Sequence, residues 1–259
     1  MRKIDLSGKI AVVTGGAGQV GRGIVKRLAE AGADVAIAYH KSAEYAQELK
    51  EFVQKEYGVR AGAFQVDVTD EASVNDMRDR IEKELGKVDI IVINAMVRHE
   101  WKKIMDQTDD IYEGQFKGFV LHAIHMIHAF VPHMIEQRWG RVIAINTECA
   151  MQMFPYQSAY AATKRNLDGI MKILAREIGE HNITVNQIAP GWVWTDASND
   201  DINDPNYCQD FPYIPQVPLK RRCTDLDIGD AAVFFSSELA DCITGVYLPV
   251  NGGNTMPCI

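Results

Sequence analysis

The feature of this chain that most constrains its fold is a series of short apolar runs, each separated from the next by a longer stretch of helical periodicity. Residues 89–94 (DIIVIN) and 142–146 (VIAIN) are apolar at successive positions, whereas a half-exposed strand would alternate apolar and polar residues. Strands that are apolar on both faces are typical of parallel sheets covered by helices on each side. The pattern therefore predicts an α/β fold, built on a doubly wound parallel sheet in a single domain spanning residues 1–259.

The order of the runs gives the expected elements. Strands are predicted at residues 10–14, 35–39, 61–66, 90–94, 141–146, 184–188 and 246–250. Helices are predicted at 20–31, 43–57, 71–85 and 159–180, with a long helical region from about 108 to 137. The segment at about 196–222 lacks this periodicity and contains several prolines, so we expect a substrate-loop insertion over the open edge of the sheet.

The composition argues against several classes of function. The chain has 27 Lys and Arg and 35 Asp and Glu, a net charge of −8, so no positive field attracts nucleic acid or an anionic membrane. The opening residues, MRKIDLSGK, are too polar for a signal peptide, and the apolar stretch 118–131 is too short to span a bilayer. The five cysteines match no zinc-binding spacing, and we expect a reduced, cytoplasmic protein.

A glycine-rich turn follows the first predicted strand. Gly16, Gly18 and Gly21 form a G-x-G-x-x-G between that strand and a helical pattern. Glycines at this point let backbone amides approach a pyrophosphate, and the helix N-terminus favours its negative charge. We therefore predict a dinucleotide site; the alternative is a tight turn without a ligand. The residues assigned to this cradle are Gly15, Gly18, Gln19, Val20 and Gly21.

The end of the second predicted strand bears on which dinucleotide binds. An acidic residue at this place, about 20 residues beyond the glycines, usually holds a free ribose 2′-hydroxyl. The residues found there are Tyr39, His40, Lys41 and Ser42. A lysine, an imidazole and a hydroxyl suit a 2′-phosphate better than a carboxylate does, so we expect NADP(H) to be preferred over NAD(H). Alternatively, His40 and Lys41 are solvated loop residues.

A tyrosine and a lysine lie four residues apart on a predicted helix, which places Tyr160 and Lys164 on the same helix face. A tyrosine with its ordinary pKa of about 10 is a weak base at neutral pH, but a neighbouring ammonium and a positively charged nicotinamide ring favour the phenolate. Tyr160 is therefore a candidate to give a proton to a carbonyl oxygen or to take one from an alcohol. Lys164 is a candidate for the cofactor ribose. On their own, such pairs are usually ordinary surface residues.

Taken together, these motifs resemble those of the short-chain dehydrogenase/reductase family over essentially the whole chain. The matching motifs, in the family's order, are Thr14-Gly15 with Gly21, Asp67-Val68, Asn94-Ala95, Tyr160-x-x-x-Lys164, Pro190-Gly191-x-x-x-Thr195, Thr244-Gly245 and Asn251-Gly252-Gly253. The resemblance implies a Rossmann-like seven-stranded sheet, a nicotinamide cofactor and, commonly, a homotetramer.

The same resemblance implies a role for each matching residue. Asp67 corresponds to the carboxylate beside the adenine amino group, and Val68 to an apolar wall of that ring. Tyr160 corresponds to the proton donor or acceptor, and Lys164 to the residue that polarises it. The other cofactor contacts implied are Asn94 and Ala95 at the ribose, and Pro190, Gly191, Val193 and Thr195 around the nicotinamide.

Four positions depart from the family pattern. Gln19 replaces the middle glycine of the cradle, and Met96 stands where a glycine normally leaves space. Thr147 replaces the catalytic serine and keeps a hydroxyl for the substrate oxygen. Gln115 falls at the asparagine of the family's proton relay, where it could hold a water. These changes suggest an unusual substrate or a slow enzyme.

Apolar and histidine side chains complete the set of candidates. Several large residues follow predicted strands and could form an adaptable substrate wall, although core or lid packing is the alternative. They are Met96, Met151, Met153, Phe154, Trp192 and Trp194. On the long helix, His122, His125 and His128 drift by about 60° per step, so we interpret them as polar residues of a subunit interface and predict no metal site.

These features favour an NAD(P)-dependent oxidoreductase that interconverts a hydroxyl and a carbonyl group on a small alcohol or ketone. Its expected catalytic residues are Tyr160, Lys164, Thr147 and Gln115. Its expected assembly is a homotetramer or a homodimer, without nucleic acid or membrane as a partner. Two alternatives stay open: a dinucleotide-binding sensor or scaffold with little turnover, and a non-redox dehydratase or epimerase on the same fold.

Overall fold

The computed structural model describes residues 4–97, 101–194 and 213–256. The strands in these ranges are β1 (Ile10–Thr14), β2 (Asp34–Tyr39), β3 (Ala61–Gln65), β4 (Ile90–Ile93), β5 (Gly140–Ile145), β6 (Ile183–Pro190) and β7 (Tyr247–Val250). They form one parallel sheet in the order β3-β2-β1-β4-β5-β6-β7. The predicted single-domain α/β fold with a seven-stranded parallel sheet is confirmed.

Helices cover both faces of this sheet. They are α1 (Gln19–Glu30), α2 (Ala43–Tyr57), α3 (Glu71–Glu84), α4 (Asp109–Gln115), α5 (His122–Gln137), α6 (Cys149–Gln152), α7 (Ser158–Ile178), α8 (Tyr213–Gln216) and α9 (Asp225–Ser236). A π-helical segment, Phe116–Leu121, joins α4 to α5, so the predicted region 108–137 is helical almost throughout. Short 3-10 turns lie at Ile104–Asp106, Gly179–His181 and Glu238–Ala240.

The sheet separates two apolar cores. On β4, Ile91 and Ile93 belong to the core under α3, α5 and α7, whereas Ile90 and Val92 belong to the core under α1, α2 and α9. All four residues of β4 are therefore buried, which is why the run 89–94 does not alternate.

Helix α9 is an element that the periodicity does not predict. It begins at a capping box, in which the side chains of Thr224 and Asp227 each accept a hydrogen bond from the other residue's backbone N–H. It packs closely on α1, because a Cβ at Gly23 would lie 2.5 Å from the backbone of Asp225 and one at Gly229 would lie 2.6 Å from the Gly23 oxygen. Contacts on several sides spread its apolar residues around the helix, so no single stripe marks it.

The helical stretch Asp109–Gln137 has the length and apolar composition of a membrane-spanning helix. Most of it is buried inside the protein, where Ala123, Met126 and Phe130 join the core on one face of the sheet. Its apolar composition follows from this burial.

The strand order reverses at β1, which pairs with β2 on one side and with β4 on the other. In open α/β sheets such a reversal opens a crevice at the carboxyl ends of the strands, where ligands bind. The segments that follow β1, β4, β5 and β6 reach this edge and carry most of the predicted site residues.

Candidate active site

A cavity of about 770 Å³ lies at the carboxyl edge of the sheet. The predicted site residues that line it are Gly15, Gly18, Gln19, Val20, Gly21, Tyr39, His40, Asp67, Val68, Asn94, Ala95, Thr147, Tyr160, Lys164, Pro190, Gly191 and Val193. The fold thus brings the glycine turn and the Tyr160 helix to one cavity. Val66, Thr69, Val97, Ile145 and Asn146 also line it, and no sequence motif points to them.

The glycine turn meets the N-terminus of α1 at the wall of this cavity. Gly15 has a φ of 63°, and a Cβ at Gly21 would lie 2.1 Å from the Gly15 carbonyl oxygen, so side chains are excluded at both positions. No side chain caps α1 at Gly18, and Gln19 and Val20 of its first turn line the cavity. The N–H groups of a first turn have no partner within their helix, so this end of α1 is suited to bind a pyrophosphate.

Asn94 holds the glycine turn against the end of β4. Its Nδ2 donates to the carbonyl oxygens of Thr14 and Gly15, at 2.9 and 3.3 Å. The Thr14 hydroxyl accepts from the backbone N–H groups of Asn94 and Ala95, at 2.9 and 3.1 Å. Asn94 therefore clamps the turn while it also lines the cavity.

The end of β2 presents no carboxylate to the cavity. Tyr39 and His40 line it, whereas Lys41 and Ser42 are exposed and lie outside its lining. The structure thus brings two of the four residues predicted for the 2′ position to the cavity and leaves the other two outside its wall.

At the end of β3, Asp67 is held in place by Thr69. The Asp67 carboxylate accepts from the Thr69 hydroxyl at 2.7 Å and from its backbone N–H at 2.9 Å. These two hydrogen bonds lower the pKa of Asp67, because they stabilise its charged form. An ionised carboxylate next to Val68 can accept hydrogen bonds from an adenine amino group.

Lys164 is buried in the wall of the cavity, with 4% of its surface exposed. Its ammonium donates to the carbonyl oxygen of Ile145 at 2.7 Å. The same nitrogen lies 4.1 Å from the centroid of the Phe119 ring and 5.9 Å from that of the Tyr160 ring. Burial lowers the pKa of Lys164 to about 7, so its charge titrates near neutral pH.

Tyr160 and Thr147 meet at the cavity. Burial raises the pKa of Tyr160 well above its ordinary value, Cys149 adds to the rise, and the hydrogen bond with the Thr147 side chain opposes it. The predicted lowering of this pKa by Lys164 is not produced by the chain alone. The Lys164 ammonium is directed to the Ile145 carbonyl, and it is only partly charged at neutral pH.

Phe119, from the long helical region, faces Tyr160 and Lys164. Its ring centroid lies 5.5 Å from that of Tyr160 in an edge-on arrangement. Gln115 is buried and does not line the cavity, and its place in a proton relay stays a prediction. The π-helical segment Phe116–Leu121 begins directly after Gln115 and presents Phe119 to the pair. A phenylalanine in an apolar helix is ordinary for a core, so no sequence signal marks this position.

Glu148 is a further residue that could help to build the site, by joining the segments around it. Sequence reasoning does not find it, because a single glutamate forms no motif. It follows Thr147, is buried, and accepts from the Asn254 side chain at 3.0 Å. Burial raises the pKa of Glu148, and hydrogen bonds with Asn254 and Tyr213 oppose the rise. The Tyr213 hydroxyl also accepts from the Trp192 backbone N–H at 3.0 Å. This carboxyl therefore links the segments after β5, β6 and β7.

The predicted substrate loop is described only in its second part. Thr195, the predicted contact to the nicotinamide carboxamide, lies outside the described residues, as do residues 196–212. Residues 213–222 contain α8, whose Tyr213 packs edge-on against Trp192 with 5.8 Å between ring centroids. Trp192 in turn lines the cavity.

The three histidines of the long helix lie in different surroundings. His122 is buried in the core, and burial lowers its pKa to about 3. His125 Nδ1 lies 3.1 Å from the Val68 oxygen, and His128 Nδ1 lies 3.3 Å from a Glu71 carboxylate oxygen. The interpretation of all three as interface residues does not hold for His122. Within the described ranges, no group of three or more His, Cys, Asp or Glu side chains is placed to hold a metal ion.

Known proteins resemble this chain over nearly its whole length. A family model described as enoyl-(acyl carrier protein) reductase matches residues 15–255. The chain is 34% identical over 254 residues to the 3-oxoacyl-(acyl-carrier-protein) reductase FabG of Staphylococcus epidermidis, a match that covers 96% of this chain and 99% of that protein.

Solved structures share the fold closely. L-Sorbose reductase from Gluconobacter frateurii, complexed with NADPH and L-sorbose, superimposes with a TM-score of 0.90 at 26% identity, over 99% of this chain and 100% of that one. A 7α-hydroxysteroid dehydrogenase, complexed with NADH and 7-oxo glycochenodeoxycholic acid, gives a TM-score of 0.87 at 29% identity, over 97% and 96%. Both of these relatives hold a nicotinamide dinucleotide.

Proposed function

Because the chain belongs to the short-chain dehydrogenase/reductase family and is an NAD(P)-dependent oxidoreductase, we propose that it interconverts a hydroxyl and a carbonyl group on a small organic substrate. The observation that carries this proposal is the meeting of Tyr160 and Thr147, with Lys164 behind them, in the cavity that also contains the glycine turn. A proton donor and a hydroxyl beside a dinucleotide site are what carbonyl reduction requires.

The residues present fit a nicotinamide dinucleotide. The uncapped N-terminus of α1 and the glycines that exclude side chains suit the pyrophosphate, and the ionised Asp67 suits an adenine amino group. When bound, the dinucleotide supplies or accepts the hydride. We propose a preference for NADP(H), supported by His40 at the cavity wall in place of an acidic residue.

Each catalytic role is assigned to an atom of the chain. During reduction the Tyr160 hydroxyl gives its proton to the carbonyl oxygen, and during oxidation it takes one from the alcohol. The Thr147 hydroxyl donates to the same substrate oxygen and orients it. The Lys164 ammonium, when charged, stabilises the phenolate left on Tyr160 and holds the cofactor ribose.

The test of this assignment is Tyr160→Phe. We expect turnover of ketones to fall by about 100-fold or more, because the proton donor is removed, while dinucleotide affinity stays within about threefold. Tyr156→Phe is the matched control, since Tyr156 is exposed in the same segment and does not line the cavity. Full turnover by Tyr160→Phe would reject the mechanism.

One observation favours a second function, a dinucleotide-binding sensor or scaffold with little turnover. Phe119 gives the Tyr160–Lys164 pair an apolar neighbour, and burial, together with Cys149, keeps the pKa of the Tyr160 hydroxyl high, which favours its protonated form. Dinucleotide binding without hydride transfer across a broad panel of ketones and alcohols would support this second function.

We also propose a cytoplasmic homodimer or homotetramer. Support comes from a groove between the outer faces of α5 and α7, where Ile127, Ile170 and the half-exposed Ile173 line one surface. The test is the mass of the protein in solution by light scattering. Ile173→Glu places a charge in the groove and is expected to lower the assembly state, whereas Tyr45→Glu on the exposed face of α2 is not.

A further inference from the structure

We propose that Trp101, held in place by Gln107, forms an aromatic wall beside Tyr160 and selects carbonyl compounds that carry a flat or bulky apolar group. The inference rests on the function proposed above and names the substrate class of that same site. It joins two observations that catalysis by Tyr160 does not use: a half-exposed indole at the catalytic ring, and a side-chain clamp that fixes its position.

The first observation is the contact between Trp101 and Tyr160. The two ring centroids are 6.0 Å apart, with an interplanar angle of 77°, so the rings meet edge to face. Trp101 nevertheless keeps 53% of its surface exposed. An indole buries its apolar surface where it can, so the remaining surface beside a catalytic phenol offers a platform for an apolar part of a substrate.

The second observation is the clamp that Gln107 makes. Its Nε2 donates to the backbone oxygen of Lys102 at 2.7 Å, next to Trp101 in the chain. Its Oε1 accepts from the Ser158 hydroxyl at 2.9 Å and from the Ala159 N–H at 3.3 Å. Ser158 and Ala159 form the first turn of α7, the helix that carries the catalytic tyrosine.

The clamp also explains the start of α7. Gln157, at the cap position of α7, provides no side-chain cap, and the Gln107 amide accepts from the first turn instead. The Ser158 hydroxyl is also 2.9 Å from the Tyr112 hydroxyl. The segment after β4 is therefore tied to the helix that sets the position of Tyr160, and the spacing of Trp101 from Tyr160 is fixed before a substrate arrives.

Trp101 contacts Tyr160 without lining the cavity itself, and the cavity lining carries further apolar side chains. Met96 and Trp192 both line the cavity while 64% and 37% of their surfaces stay exposed. Methionine adapts to apolar groups of different shape, and the Trp192 ring is supported edge-on by Tyr213. A polyhydroxylated substrate would leave hydroxyls unpaired against these side chains, whereas a phenyl ring or a branched alkyl group would bury apolar surface.

The test compares acetophenone with butanone as substrates of the full-length protein. Trp101→Ala is expected to lower the acetophenone-to-butanone ratio of kcat/KM by about 10-fold or more, mainly through KM. Trp101→Phe should retain part of the ratio. Met105→Ala, which removes a neighbouring exposed apolar side chain from the same segment, should leave the ratio at the wild-type value.

The clamp is tested by its own variants. Gln107→Leu removes both halves of the clamp. It is expected to raise KM for acetophenone more than it lowers kcat, because the tie to Lys102 beside Trp101 is lost, whereas the first turn of α7 keeps the hydrogen bond from the Ala161 N–H to the Gln157 oxygen. Gln107→Glu keeps an acceptor for Ser158 but loses the donor to the Lys102 oxygen. It should restore the start of α7 while KM for acetophenone stays raised. A fall in kcat for both ketones alike, with KM unchanged, would instead show a general structural role and overturn the positioning role.

A binding measurement separates this inference from the proposed reaction. Acetophenone binding is followed by saturation-transfer NMR with oxidised dinucleotide present, so that no ketone is consumed. If no ketone is reduced but Trp101→Ala still weakens acetophenone binding by about 10-fold, the proposed reaction is wrong and the proposed role of Trp101 in binding is supported. A wild-type preference for butanone, or equal acetophenone binding by wild type and Trp101→Ala, would overturn the proposal that Trp101 selects apolar substrates.

Discussion

The glycine turn and the pocket around Tyr160 share one cavity but are built differently. The turn consists of residues 15–21, which are close in sequence, and Asn94 fixes it through backbone carbonyl groups. The pocket depends on side chains from separate elements, since Lys164 and Phe119 come from different helices. A site made of local backbone can be predicted from residue types in the sequence. A pocket made of side chains that are distant in sequence cannot, because it depends on how the helices pack.

The largest expected effect comes from breaking the turn itself. Gly21→Val places a side chain where even a Cβ would lie 2.1 Å from the Gly15 oxygen, so dinucleotide affinity should fall by about 100-fold or more and stability by about 3 kcal/mol. Gly114→Ala is the control, because a Cβ there meets nothing within 4 Å, and it should stabilise α4 by about 1 kcal/mol. The measurements are dinucleotide titration and chemical unfolding. Wild-type binding by Gly21→Val would contradict a cradle made of backbone.

The next effect tests the buried lysine of the pocket. Between pH 7 and 10.5 the unfolded chain holds a proton on Lys164 that the folded chain has lost, so wild-type stability rises with pH by about 1.4 kcal/mol per unit. Lys164→Met should abolish this rise and lower turnover by about 100-fold. Urea unfolding at pH 7, 8 and 9 measures the change of stability with pH. Lys172→Met, on the exposed part of the same helix, is the control. Parallel profiles for wild type and Lys164→Met would refute the burial argument.

The next effect tests which residues at the end of β2 lie close enough to the dinucleotide to set its preference. His40→Asp places a carboxylate at the end of β2 and should shift the ratio of NADP(H) to NAD(H) affinity towards NAD(H) by about 10-fold, because like charges repel a 2′-phosphate. Lys41→Ala should change the ratio by less than about threefold, since Lys41 lies outside the cavity lining. An equal shift from Lys41→Ala would restore the sequence-based assignment of Lys41 to the site.

The last effect concerns stability at acid pH. His122 is neutral when folded, with a pKa of about 3, and protonated when unfolded below pH 6.5, so stability falls by about 1.4 kcal/mol per pH unit as the pH drops below 6.5. His122→Leu should flatten this loss, whereas His128→Leu, at an exposed position on the same helix, should not. Thermal unfolding between pH 5 and 7 provides the measurement. The expectation fails if both variants follow the wild-type curve.

The sequence predicts the fold far better than it predicts the pocket. The run 89–94 indicates a doubly buried strand because every residue of β4 faces one of two cores. Helix α9 escapes prediction because its contacts on several sides leave no apolar stripe. The relay role of Gln115 stays a prediction. The sequence does not indicate that the π-helical segment Phe116–Leu121 presents Phe119 to Lys164, because that contact depends on how the helices pack.

By itself the sequence determined the parallel sheet, the glycine turn and the spacing of Tyr160 from Lys164. These features are local patterns of residue type and chain geometry, so they need no knowledge of neighbouring elements. Only the tertiary structure decided that burial raises the pKa of Tyr160, that it lowers the pKa of Lys164, and that Trp101 lies against the catalytic ring. Burial and contacts between separate elements arise from packing, and a list of residues along one chain does not contain them.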